Sequence, residues 1–341
     1  MADADIADAD PGDLLLRVQD LQVEFSTSAG VVRALDGVSF DVRSGETVAI
    51  LGESGSGKSV TAQAIMALLP KPAGSIVGGR ILYRGLDLVA EPVARVRELC
   101  GTEIAMIFQD PLSSLNPVLR VGWQIAEVFR RRRGTPKRAA WANALELLKR
   151  VGIEDPERRI RDYPHQFSGG QRQRIMIAMA IALEPELLIA DEPTTALDVT
   201  VQKQVMNLLA DLQAETGMGM ILISHDLGVV ADVADRAGIM YAGRIVETGM
   251  TREVYDHPAH PYTHGLLSSI PSNTSMGDRL TPIVGSPPDL LALPSGCAFH
   301  PRCPFATEQC RTTVPGLRQP AGWPSGHLAA CHRSEEVLAH A

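Results

Sequence analysis

The chain has 341 residues, of which 45% are hydrophobic and 21% charged, a length that allows about two domains. That balance supplies a core and excludes a globally disordered, collagen-like, coiled-coil or low-complexity chain. Thirty-two basic against forty acidic residues give a formal net charge of -8, which argues against a protein that coats nucleic acid by bulk positive charge.

Residues 1–13 carry five aspartates and little bulk, so they read as a solvated acidic tail. They are acidic where a secretory signal is basic and then apolar. No apolar run approaches the ~18 residues needed to span a bilayer, and a soluble, cytoplasmic chain is expected. From Leu14 to Val42, stretches such as LLRVQDLQVEF and ALDGVSFDV alternate with Ser/Gly turns, predicting antiparallel strands. TVAIL at 47–51 predicts a buried strand. It feeds directly into GESGSGKS and then into the helix-compatible VTAQAIMALL, the strand, loop and helix order of a phosphate-binding unit. IAMIFQ, ELLIAD and GMILIS at 104–109, 186–191 and 219–224 are further strand candidates. Strands interleaved with helices predict a parallel α/β core. Between about 111 and 184 the pattern is helical, clearest in WANALELLKRVG and QRQRIMIAMAIAL. Beyond about residue 255 it turns to Pro, His and Gly, which places a domain boundary near HPAHPYTH.

Gly52–Ser59 satisfies G-x-x-x-x-G-K-[ST]. Glycines let backbone N–H groups curl around phosphates, Lys58 reaches the β and γ oxygens, and Ser59 ligates magnesium. Gly52, Ser54, Gly55, Ser56, Gly57, Lys58, Ser59 and Val60 are the expected contacts. Asp191 and Glu192 stand at the carboxyl end of an apolar strand, where the first suits the magnesium shell and the second the attacking water. FSGGQRQR places Ser168, Gly169, Gly170 and Gln171 at a helix start. That is a site for a γ-phosphate and equally a plain capping box.

This ordered set, with ALD at Ala196–Asp198 and SHD at Ser224–Asp226, resembles the ATP-binding-cassette (ABC) ATPases over about residues 14–255. The resemblance implies a P-loop NTPase (RecA-like) α/β core with an antiparallel β subdomain and a helical subdomain at about 111–184. It also implies that Phe25 stacks on adenine, Gln109 approaches magnesium, His225 contacts the γ-phosphate and Asp198 crosses to a second subunit. Catalysis would rest on Glu192, His225 and Gln109. In this family one ATP is sandwiched between the loop of one subunit and the signature of another, so a second ABC ATPase is needed.

No heptad arms separate the motifs and only one cassette is present, which disfavours chromosome-maintenance and translation roles. Arg130–Arg133 is a basic run, but such runs are usually solvated faces, and no nucleic acid is expected. QDPLSSLNP at 109–117, HPYTHGLLSSIP at 260–271 and GSPPDLLALPSGCAFHPRCPFATEQC at 285–310 are similar to the ATPase subunits of bacterial dipeptide/oligopeptide importers, a branch that includes nickel systems. That likeness implies two transmembrane permease subunits, an extracytoplasmic substrate-binding protein, and a peripheral place on the cytoplasmic face of the membrane. Import of nickel or another small solute stands as the alternative, and a non-transport, nucleic-acid-associated ATPase as the next.

Residues 256–341 are expected to form an irregular C-terminal extension holding Cys297, Cys303, Cys310 and Cys331, separated by five, six and twenty residues. This is neither the C-x-x-C of structural zinc nor the ferredoxin run. Four thiols in a reducing compartment still favour a metal over disulfides. Some relatives in the peptide-importer branch carry four C-terminal cysteines on an iron-sulfur (4Fe-4S) cluster, which the resemblance extends to these four. Zinc, with His300, His327 or His332 as further ligands, and free thiols remain open. Cys100, alone before a strand, reads as a small buried apolar residue.

Overall fold

The computed structural model of the chain describes residues 13–110, 114–195, 197–269, 283–323 and 326–339. The acidic tail up to residue 12, residues 111–113 of QDPLSSLNP, Ala196 of ALD and the end of HPYTHGLLSSIP lie outside the described residues. In chain order the strands are β1 Leu14–Thr27, β2 Gly30–Arg43, β3 Thr47–Leu51, β4 Gly74–Tyr83, β5 Leu86–Asp87 and β6 Ile104–Ile107. They continue with β7 Leu187–Asp191, β8 Gly219–Ser224, β9 Arg236–Tyr241, β10 Arg244–Met250 and β11 Leu328–Ala329. The chain divides into two compact units, residues 1–90 with 224–341, and residues 91–223.

In the first unit β1 is the spine of an antiparallel sheet ordered β2-β1-β4-β5. Its register opposes Val18 to Phe40 and Val23 to Leu35, so that side chains one apart alternate between core and solvent. The β1–β2 connection is tight, with the Thr27 hydroxyl donating to Gly30 O at 2.8 Å and accepting from Ala29 N at 3.2 Å. β3, five residues long and buried throughout, pairs in parallel with β9, which accounts for its unbroken apolar sequence. β9 and β10 form a hairpin over Ala242 and Gly243, both at positive φ (49° and 79°), the backbone that matches strand twist in a two-residue turn.

The C-terminal extension is built into this unit. Its strand β11 pairs with β10, Glu247 opposite Ala329. The Glu247 carboxylate, fully buried, accepts from the backbone N–H of Ala259 (2.7 Å) and His260 (2.9 Å) and stands 2.8 Å from His327 Nε2. A buried polar group must have its hydrogen bonds satisfied to survive in a core, and here the extension supplies each of those partners.

The second unit carries three parallel strands ordered β8-β7-β6. Ile107 lies opposite Ala190, and Asp191 opposite Ile223, so the carboxyl ends of the strands are level. Helices Val121–Arg133, Lys137–Arg150, Gly169–Ala180 and Val199–Thr216 make up most of the rest. Arg130–Arg133 form the last turn of their helix, where cations suit the negative helix end. Arg132 donates to the carbonyls of Arg97 and Cys100 and Arg133 to Leu183 O at 2.7 Å. This run therefore ties helix ends together. Cys100 is buried, and burial pushes its thiol up to about 11.

Candidate nucleotide-binding site

The phosphate loop leaves the buried end of β3 and enters the helix Lys58–Ile65. Gly52, Gly55 and Gly57 have φ of 150°, 80° and 108°, values that suit glycine. Space is the second constraint. A Cβ on Gly52 would stand 2.2 Å from Met240 O, and one on Gly57 2.8 Å from Ala34 O. Lys58, only 4% exposed, reaches back across the loop, its Nζ donating to Gly52 O at 2.8 Å and Glu53 O at 3.0 Å. Those two bonds close the loop at a helix start, and the Ser56 hydroxyl within it is buried without a hydrogen-bond partner. Such a cradle, with a cation and an unused hydroxyl, fits a phosphate chain.

Phe25 is half-buried on β1, opposite Val32 on β2 and Gly74 on β4. Its ring lies so close to Gly74 that a Cβ there would be 2.8 Å from Cε1. Val32, its cross-strand partner, lines a cavity of about 310 Å³ with Glu53, Ser54, Gly55 and Ser56. Pro287–Leu291 of the extension also line that cavity. His225 is exposed immediately after β8, and Asp226 beside it caps the turn Leu227–Val230 by accepting from Gly228 N and Val229 N.

In the second unit the level strand ends bring Gln109 and Glu192 together. Gln109 Nε2 donates to Glu192 Oε2 at 2.7 Å, and the Thr195 hydroxyl donates to the same oxygen at 2.9 Å. Glu192 has φ 47°, a strained conformation for a side chain with a Cβ. Its N–H donates to Ile223 O at 2.9 Å and so holds it there. Asp191, 4% exposed, ends β7 beside it. Ser168 caps the helix Gly169–Ala180 in a reciprocal capping box, Oγ accepting from Gln171 N at 3.3 Å and Gln171 Oε1 accepting from Ser168 N at 3.1 Å. The capping-box reading of SGGQ is therefore seen directly, with Gly169 and Gly170 as the first residues of the helix. Asp198 caps the helix Val199–Thr216, accepting from Val201 N at 3.0 Å. Phe167, buried, lies beneath the Arg159 guanidinium, 4.2 Å from its centre.

A family model described as ABC transporter matches residues 35–195, and one described as oligopeptide/dipeptide transporter, C-terminal region, matches 246–310. The dipeptide transport ATP-binding protein DppD of Bacillus subtilis is 52% identical over 96% of this chain and 97% of its own length. The chain belongs to the ABC transporter ATPases. OppD of the same organism, an oligopeptide transport ATP-binding protein, is 54% identical over 86% of this chain and 82% of its own. Among solved structures, the ATP-binding cassette MJ0796, a post-hydrolysis dimer bound to ADP and Pi, covers 70% of this chain with TM-score 0.63 and 27% identity, 99% of that chain being matched. CbiO1 of Clostridium perfringens, part of a cbiONQ complex, covers 72% with TM-score 0.61, 30% identity and 91% of its own chain. This ABC ATPase therefore has the P-loop NTPase fold, binds ATP and hydrolyses it. Among its described residues no helix is long and apolar enough to cross a membrane.

The extension of this ABC ATPase brings Cys297, Cys303, Cys310 and Cys331 to the wall of one cavity of about 10 Å³, room for roughly one water. None forms a disulfide. Burial pushes Cys303 up to about 11 and Cys331 up to about 12, and raises Cys297. Among the described residues no group of three or more His, Cys, Asp or Glu is arranged to hold a metal ion. The four-cysteine centre expected from the sequence is therefore gathered at one cavity without a metal-holding arrangement among the described residues. Sequence reasoning missed the role of HPYTH altogether. Tyr262 is buried and its hydroxyl accepts from Glu53 N at 2.8 Å.

Proposed function

We propose that this ABC ATPase powers the import of dipeptides or oligopeptides, working at the cytoplasmic face of the membrane on two permease subunits. It is paired there with a second ABC ATPase and supplied by an extracytoplasmic substrate-binding protein. The observation that carries this reading is the match of residues 246–310 to the oligopeptide/dipeptide transporter C-terminal region, in a chain 52% identical to a dipeptide transport ATP-binding protein.

Each residue has a role its surroundings suit. The loop Gly52–Ser59 and Lys58 take the phosphates, and Phe25 takes the adenine face. Ser59 in the first unit offers a hydroxyl, and Gln109 and Asp191 in the second an amide and a carboxylate oxygen, the hard donors magnesium prefers; a bound magnesium would neutralise phosphate charge. Glu192 polarises the attacking water, its carboxylate oriented by Gln109 and Thr195. His225 contacts the γ-phosphate. Ser168, Gly169, Gly170 and Gln171 donate to the nucleotide of the second subunit, and Asp198 crosses to that subunit. Closure of the pair around ATP then works the permeases, and hydrolysis resets them.

The four thiols are the seat of a sulfur-ligated metal, an iron-sulfur cluster in this reading. They line one cavity uncrosslinked, and Cys331 Sγ accepts from Arg333 N at 3.3 Å, the kind of amide bond that tunes cluster sulfurs. Protein isolated without oxygen should hold iron and sulfide at about four per chain; a colourless preparation with one zinc overturns the cluster.

The transport reading is tested by isolating the chain from mildly solubilised membranes and identifying every companion by mass spectrometry. Two multi-spanning permeases are expected, and a retained peptide would name the cargo. Recovery only in the soluble fraction, alone or with nucleic acid, overturns it.

A further inference from the structure

Glu53 occupies a position of the phosphate loop that the G-x-x-x-x-G-K-[ST] pattern leaves open, yet the C-terminal extension holds it at both its backbone and its side chain. The Arg302 guanidinium, its side chain 6% exposed, forms a two-pronged pair with the Glu53 carboxylate, Nη1 to Oε2 at 2.7 Å and Nη2 to Oε1 at 3.1 Å. The Tyr262 hydroxyl accepts from the Glu53 backbone N–H at 2.8 Å. The carbonyl of the same residue accepts from Lys58 Nζ at 3.0 Å. Tyr262 and Arg302 are themselves fixed by one aromatic cluster. Tyr241, Tyr262 and Phe299 lie with ring centres 4.6 to 5.4 Å apart, and Arg302 stands 5.9 Å from the rings of both Tyr241 and Phe299. Arg302 Nε also donates to Val284 O at 3.1 Å, anchoring the start of the segment whose Pro287–Leu291 faces the loop. Arg302 closes the short turn His300–Arg302, between Cys297 and Cys303.

We propose that Arg302 and Tyr262 are positioning residues for ATP. They clasp the phosphate loop through Glu53, so that the cysteine-bearing turn of the extension sets the nucleotide affinity of the cassette. A loop with three glycines at positive φ has much conformational freedom to lose when it wraps phosphates. Fixing Glu53 at its backbone and its carboxylate removes part of that freedom before ATP arrives, which is preorganisation. Only arginine offers the planar fork that meets both carboxylate oxygens at once. The proposal rests on the loop binding ATP, and Lys58→Ala separates that premise from the clasp.

The full-length chain is titrated with ATP by calorimetry, and the KM and kcat of hydrolysis are measured, for the native protein, Lys58→Ala, Arg302→Ala, Arg302→Lys, Tyr262→Phe, Glu53→Ala and the double variant Arg302→Ala/Glu53→Ala. Arg302→Ala should raise the Kd and KM for ATP about tenfold, the usual size of a coupling between sites, with a smaller fall in kcat. Arg302→Lys should recover part of the loss. The double variant should bind no more weakly than the worse single one, since both remove the same interaction. ATP binding by Arg302→Ala within about twofold of native, a measurable coupling being larger, or additive single losses, overturns the clasp. Should Arg302→Ala fail to fold, Glu53→Ala and Tyr262→Phe decide by the same criterion. Lys58→Ala that binds ATP as well as native protein condemns the phosphate-loop premise instead.

Discussion

Gln109 Nε2 lies 2.7 Å from Glu192 Oε2, a hydrogen bond between residues 83 apart in sequence. It forms because β6 and β7 run parallel and in register, Ile107 opposite Ala190, and so end at one level. A glutamine two residues past one strand then meets a glutamate one residue past the next. With Thr195 donating to the same oxygen, the carboxylate has a fixed direction before any substrate is present, which a positioned base requires.

Glu192→Gln follows from that geometry. The amide keeps the shape of the side chain and an acceptor for Gln109 and Thr195, but cannot take a proton. ATP hydrolysis should fall by about 10²–10⁴, the usual worth of a general base, while ATP affinity is kept. Phosphate release and ATP titration on the same preparation check it; rapid turnover would remove Glu192 from this role.

Gly52→Ala should damage the cassette more than its size suggests. The new methyl would meet Met240 O at 2.2 Å with φ at 150°, and neither backbone can give way without shifting β3 or the β9–β10 hairpin. A loss of about 1–3 kcal/mol is expected from overpacking, together with loss of ATP binding. Thermal unfolding with and without ATP reads both; Gly55→Ala, with nothing within 4 Å of its added Cβ, should be the milder variant.

Ser168→Ala separates capping from donation to a nucleotide. Removing the cap costs about 1 kcal/mol, which denaturant unfolding registers. If Ser168 also serves the second subunit's ATP, hydrolysis by the assembled pair falls well beyond that stability loss, while ATP binding by the isolated chain is unchanged. Activity falling only in step with stability would leave the serine a cap.

His260 makes the stability of this chain pH-dependent. Its ring is fully buried and neutral, Nδ1 accepting from Tyr262 N at 3.0 Å, and burial holds its pKa down at about 3. The unfolded imidazole takes a proton below about pH 6.5, and the native one does not. Stability is therefore complete above pH 6.5 and drains as pH falls toward 3, by up to about 1.4 kcal/mol per unit. His260→Asn keeps a side-chain acceptor for Tyr262 N and should flatten that slope in unfolding curves taken between pH 4 and 8; an unchanged slope would assign it to other groups.

Much of the site was legible in the sequence because its chemistry is local. A strand, a glycine loop and a lysine within thirteen residues dictate a phosphate cradle, and runs such as TVAIL and GMILIS announce buried parallel strands by composition alone. β4, β9, β10 and β11 were not legible. VGGRILY and RAGIMYAGRIVETGM carry glycines that blunt the apolar period, and what makes them strands is pairing of β4 with β1, of β9 with β3 and of β10 with β9.

By itself the sequence determined the family, the nucleotide motifs and the gathering of cysteines near the C-terminus, since each is written in residues close together along the chain. Only the tertiary structure decided that Gln109 bonds Glu192, that Glu192 is held at φ 47°, and that Tyr262 and Arg302 of the extension contact Glu53 in the phosphate loop. Those contacts join residues 83, 209 and 249 positions apart. No spacing rule reaches so far, because the geometry comes from sheet register and from an extension folded back over the loop, which exist only once the chain has packed.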